Sequence, residues 1–125
     1  MDFRTDRQRV QGLGTAGHGA GHWWSQRITS AALAPLGVCF VFPFAQALGG
    51  PWERVIEIYG HPFNAVVAIL FLGVGFLHLQ QGVQVVIEDY VHDKPVRVAM
   101  IFANALLSGA FAFTGIFAVA KIAFG

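Results

Sequence analysis

The chain has 125 residues, of which 55% are hydrophobic and 12% charged, and its formal net charge is +1. So apolar a composition excludes an ordinary soluble domain of this size. The near-neutral charge carries no basic patch for nucleic acid. The single cysteine, Cys39, lies in an apolar run and excludes a disulfide or zinc framework.

The charges are unevenly placed. Residues 28–52, 58–87 and 98–120 contain no Asp, Glu, Lys or Arg. A spanning helix needs about 20 mostly apolar residues to cross a hydrocarbon core about 30 Å thick. The expected fold is therefore an all-α membrane protein with three transmembrane helices. A soluble bundle would instead carry charges along an exposed face of each helix.

Residues 1–21 are polar and glycine-rich, which predicts an extended amino-terminal arm on the cytoplasmic side. The arm shows no apolar signal-peptide core, and its Asp2 and Asp6 are unlike a transit peptide. The chain therefore reads as complete as translated and as bacterial. Residues 22–125 form the membrane region. Its first helix is expected over about 23–48, with Trp23 and Trp24 in the interfacial aromatic belt. Pro35 falls inside it and is tolerated in a membrane, with a kink expected.

Gly49, Gly50 and Pro51 break this helix. Trp52, Val55, Ile56 and Tyr59 then recur at helical spacing opposite Glu53, Arg54 and Glu57, which predicts a short amphipathic turn lying in the interface. The second helix is expected over about 62–90, opened by Pro62. A tight polar loop, VHDKP, leads to a third helix over about 95–124. Arg4, Arg7, Arg9, Arg27, Lys94 and Arg97 fall on one side and Arg54 and Lys121 on the other. By the positive-inside rule the amino terminus is cytoplasmic and the carboxyl terminus periplasmic.

His78 lies 11 positions before Asp89. At about 1.5 Å per residue this is about 16 Å, which sets His78 near the midplane if Asp89 marks the interface. An ionisable residue at that depth points to function. At about 100° per residue, Gly82 and Asp89 fall within about 40° of His78, so the three form one stripe. Neutral imidazole is a good iron ligand and a common axial ligand of haem. Gly82 leaves room beside it for a flat group. The alternative is a histidine that only hydrogen-bonds a neighbouring helix and a glycine that only allows tight packing. A six-coordinate haem would need its second ligand from a partner chain. At the helix end, the Tyr90 hydroxyl can donate to a carbonyl oxygen and Asp89 can relay protons. These are groups that a quinone-reducing site needs, and both also suit an interfacial anchor.

The pattern H-x-x-x-G-x-x-x-x-x-x-D-Y, formed by His78, Gly82, Asp89 and Tyr90, resembles the hydrophobic membrane anchor subunits of succinate dehydrogenase (respiratory complex II). So does W-x-x-Q-R-x-T, formed by Trp23, Gln26, Arg27 and Thr29. The segment GLGTA, residues 12–16, is similar to the alphaproteobacterial form. The resemblance implies that His78 is an axial ligand of a haem b shared with a partner cytochrome b subunit, on which the three helices pack. It implies that Tyr90 hydrogen-bonds ubiquinone, with Asp89 in support. Arg27 would meet the haem propionates, with His22 close by. Arg27 is equally suited to a topology anchor.

The same resemblance implies an iron–sulfur subunit and a flavoprotein subunit as further partners, in a bacterial inner membrane. His92, Asp93 and Lys94 could dock the iron–sulfur subunit or form a solvated loop. His61 is placed at the opposite interface, and His18 in the arm has no assigned role. The nearest alternative is a fumarate reductase anchor, which runs the chemistry in reverse. A small transporter or a non-redox scaffold is the alternative from another class. The chain carries no flavin motif and no cysteine cluster, so it is expected to do no chemistry alone.

Overall fold

The computed structural model describes residues 5–11 and 19–125. The GLGTA segment, His18 and Arg4 lie outside the described residues. The described chain is helical throughout: α1 (Asp6–Gln11), α2 (Gly19–Ala47), α3 (Trp52–Tyr59), α4 (Pro62–Tyr90) and α5 (Lys94–Phe124). α2, α4 and α5 are each long and apolar enough to cross a membrane. At about 1.5 Å per residue, each outreaches a hydrocarbon core about 30 Å thick.

The ends of these elements follow from local chemistry. α2 begins at Gly19, ahead of the expected Trp23, so part of the glycine-rich segment joins the helix. α1 likewise lies within the segment expected to be extended. Pro35 and Pro43 both sit inside α2. The chain leaves α2 through Gly49 at φ +75°, a left-handed conformation that an L side chain rarely adopts. α3 is amphipathic as its spacing predicts. Its Ile58 and Tyr59 are buried with Ala68 of α4, and Phe40, Ala47, Val55, Val119 and Ile122 pack around them. This small cluster ties α3 to all three long helices. Burial pushes the Tyr59 phenol above its ordinary value.

α5 opens at Lys94, with Pro95 in its first turn. Asp93 is its N-cap: the carboxylate accepts the Val96 N–H at 3.0 Å. One residue of the polar loop thus has a defined structural role. Asp93→Ala should cost about 1 kcal/mol, while Asp93→Asn keeps the acceptor and the wild-type value. Thermal unfolding of the two variants in the purified complex checks this, and equal losses would show that the cap contributes nothing.

α4 lies between α2 and α5 and packs on both. Phe40 of α2 stacks on Phe71 of α4 with centroids 4.3 Å apart, and Phe76 of α4 lies 6.2 Å from Phe111 of α5. Small residues bring the backbones together. A Cβ at Gly115 of α5 would stand 3.1 Å from a methyl of Leu72 on α4, closer than ordinary contact. Asn104 of α5 donates to the Gln80 carbonyl oxygen of α4 at 2.8 Å. Few side chains are buried in this three-helix row, and large apolar ones such as Phe42, Leu106, Phe113 and Phe117 are exposed. In water such faces would aggregate; lipid or a second membrane chain is their natural cover.

Candidate functional site

The packing of α2 on α4 creates a polar seam inside otherwise apolar helices. Ser25 and Gln26 each stand one turn from Thr29 on α2, and Gln81 and Gly82 each stand one turn from His78 on α4. Two hydrogen bonds cross between them. His78 Nδ1 lies 3.0 Å from Thr29 Oγ1. Gln81 Nε2 donates to Ser25 Oγ at 2.6 Å. Thr29 and Gln81 are each 8% exposed.

The surroundings of Thr29 favour one tautomer of the imidazole. Thr29 Oγ1 also lies 2.9 Å from the Ser25 carbonyl oxygen and 3.0 Å from that of Gln26. Carbonyl oxygens only accept, so the one hydroxyl hydrogen is directed to them. The hydroxyl lone pairs then accept from His78 Nδ1–H. In this tautomer His78 Nε2 keeps its lone pair, the form in which a neutral histidine binds a metal.

His78 is half-buried and lines an open groove of about 330 Å³ with Leu79, Gly82, Val83 and Val86. Gly82 sits where the groove meets α2: a Cβ there would lie 3.7 Å from Gln26 Nε2. Among the described residues no group of three or more His, Cys, Asp or Glu side chains could chelate a metal. The groove is lined mainly by apolar side chains, with His78 as its one imidazole.

The other expected site residues are spread out. His22 belongs to the polar seam of α2, and its Nε2 is buried without a hydrogen-bond partner, as are Gln26 Oε1 and Gln81 Oε1. Arg27 is exposed, with its guanidinium 5.2 Å from the Trp23 ring centroid. At about 100° per residue it lies about 140° around α2 from His22, so the two do not form one cluster on this chain. Asp89 and Tyr90 end α4, both exposed and without a side-chain hydrogen bond among the described residues. Glu88, beside them, is held by Gln84, which donates at 2.8 Å. His92 lies 3.1 Å from the Tyr90 carbonyl oxygen through Nδ1.

The polar seam went unread in the sequence, although its signal is present. Ser25 and Thr29 are four apart and His78 and Gln81 three apart, each pair inside a helix that has few other polar residues.

Fold and site define a class: a three-span helical membrane protein with a histidine lining an open apolar groove and exposed polar groups at one helix end. The family model for the succinate dehydrogenase/fumarate reductase transmembrane subunit matches residues 1–117. The succinate dehydrogenase hydrophobic membrane anchor subunit of Paracoccus denitrificans is 30% identical over 125 residues, covering 100% of this chain and 96% of the relative. The membrane anchor subunit of Reclinomonas americana is 30% identical over 89 residues, 67% of this chain and 72% of the relative. That of Rickettsia bellii is 28% identical over 107 residues, 86% of each chain. No solved structure matches. The chain belongs to the succinate dehydrogenase/fumarate reductase transmembrane subunit family, as a succinate dehydrogenase membrane anchor subunit.

Proposed function

We propose that this chain holds one side of a haem b and forms one wall of a ubiquinone-reducing site, while anchoring the flavoprotein and iron–sulfur subunits to the bacterial inner membrane. The observation that carries the reading is that His78 lines an apolar groove while its Nδ1 is engaged by Thr29, which leaves Nε2 as the nitrogen for a ligand. A partner cytochrome b subunit would supply a further ligand and cover the exposed helix faces. The haem, when bound, supplies a one-electron couple inside the membrane. Arg27, free of any carboxylate among the described residues, suits a propionate reached from the partner's side.

The lysine and arginine distribution supports a cytoplasmic amino terminus, with the Asp89–Tyr90 end of α4 on the same side. There the Tyr90 hydroxyl donates to a quinone carbonyl oxygen, which becomes more basic as electrons arrive. Asp89 passes protons from bulk water to the same end. Two electrons from succinate, delivered through the iron–sulfur subunit, and two protons convert the quinone to the quinol. The relatives are succinate dehydrogenase subunits, which favours this direction over fumarate reduction.

Purification of the complex through a tag on this chain tests the proposal. It should bring down the flavoprotein, iron–sulfur and cytochrome b subunits, show a b-type haem in the reduced-minus-oxidised spectrum, and couple succinate oxidation to ubiquinone. A stable complex with that activity and no haem would remove the haem from the reading. A complex that reduces dyes but never quinone would remove the quinone site.

A further inference from the structure

We propose that Thr29 is a positioning residue for His78, fixing the proton on Nδ1 and thereby the donor strength of Nε2. The inference rests on the reading of His78 as a haem ligand. Three observations carry it. The Thr29 hydroxyl is buried, so no bulk water competes for it. The Ser25 and Gln26 carbonyl oxygens, at 2.9 and 3.0 Å, are within reach of its hydrogen, which frees its oxygen to accept from the imidazole. The Gln81–Ser25 hydrogen bond, 2.6 Å long and one turn from the first, forms a second rung between the same two helices. With two rungs α2 can neither rotate nor slide on α4 without breaking one, so the hydroxyl is held where the ring needs it.

The chemical consequence has a sign. An imidazole whose Nδ1–H is hydrogen-bonded is a stronger donor through Nε2. A stronger donor favours the oxidised iron, so Thr29 holds the haem potential down. Loss of an outer-shell partner of a metal ligand typically lowers affinity by about 10–100-fold.

The test compares Thr29→Val, which fills the same space without a hydroxyl, with Thr29→Ser, which keeps it. Both are purified as the whole complex. The readouts are a potentiometric titration of the haem and the rate of haem transfer to a scavenger protein. Thr29→Val should raise the potential and speed haem loss about tenfold or more, and Thr29→Ser should restore both. Should the valine variant not assemble, Thr29→Ala takes its place with the same expectation. A haem-bearing hydroxyl-free variant with wild-type potential and retention would overturn the proposal, as would a serine variant that behaves like valine. His78→Ala, run alongside, separates the two failures: if it keeps an unaltered haem, the ligand assignment itself is wrong; if it loses the haem while the hydroxyl-free variant matches wild type, only the role of Thr29 is.

Discussion

His78→Ala should remove or alter the b-type haem of the complex while leaving its subunits together. Alanine cannot ligate, so under the proposed function the iron would keep only the ligand that the partner supplies. The loss should exceed the roughly 10–100-fold in affinity that outer-shell partners typically carry. Haem content per flavin and the reduced-minus-oxidised spectrum are the measurements. The helix pair should survive the change. Thr29 keeps its bonds to the Ser25 and Gln26 carbonyl oxygens, and the Gln81–Ser25 rung is untouched. The apolar contacts of Phe40 with Phe71 lie about two turns nearer the other membrane face. A loss of haem with intact assembly is therefore a statement about ligation, not about folding. Identical spectra would make His78 a helix-packing histidine whose only partner is Thr29. Activity recorded on the same preparation then tells whether quinone reduction needs the haem.

Much of the fold is legible in where the charges are missing. Three runs without Asp, Glu, Lys or Arg became three spanning helices, because the hydrocarbon core penalises both charge and unsatisfied backbone. α3 was legible from the spacing of Trp52, Val55, Ile56 and Tyr59, although the burial of Ile58 was not, since it depends on where α5 brings Val119 and Ile122. α2 starts earlier than its sequence predicts: Gly19 and Gly21 are poor helix formers, yet a long apolar helix can extend over weak residues at its end. Asp93 was read among loop residues, yet an aspartate just before Lys94 and Pro95 is a helix-start signal.

At the site, helix phase alone put His78, Gly82 and Asp89 on one stripe, since that depends only on α4 being a continuous helix. The pairing of Thr29 with His78 could not be read that way. Spacing fixes which residues share a face of α2 and which share a face of α4; it does not fix how the two helices are rotated against each other. Arg27 and His22 show the same limit from the other side, since their closeness in sequence hides an angular separation around α2. Asp89 and Tyr90 end α4 exposed, and under the proposed function the rest of their pocket would belong to other chains.

Tyr90→Phe should lower ubiquinone reduction by about 10–100-fold while sparing every upstream step. A hydrogen-bond donor aimed at an oxygen that gains negative charge is worth about 10²–10³ in rate where it is fully preorganised, and less where it is mobile. Tyr90 is 78% exposed at the end of α4, so removing its hydroxyl leaves no buried group unpaired and should change stability by no more than about 0.5 kcal/mol. Haem content and Tm should match wild type. The decisive contrast is between two electron acceptors: an artificial dye that takes electrons before the membrane, and ubiquinone. The dye rate should hold and the quinone rate should fall. Asp89→Asn should also slow only the quinone reaction, because it keeps the shape and removes the group that carries a proton. The two side chains are adjacent on one helix end, so their effects should be less than additive if they serve one ligand. If Tyr90→Phe reduces quinone at the wild-type rate, the hydroxyl is an interfacial anchor, and the donor to the quinone has to come from a neighbouring subunit.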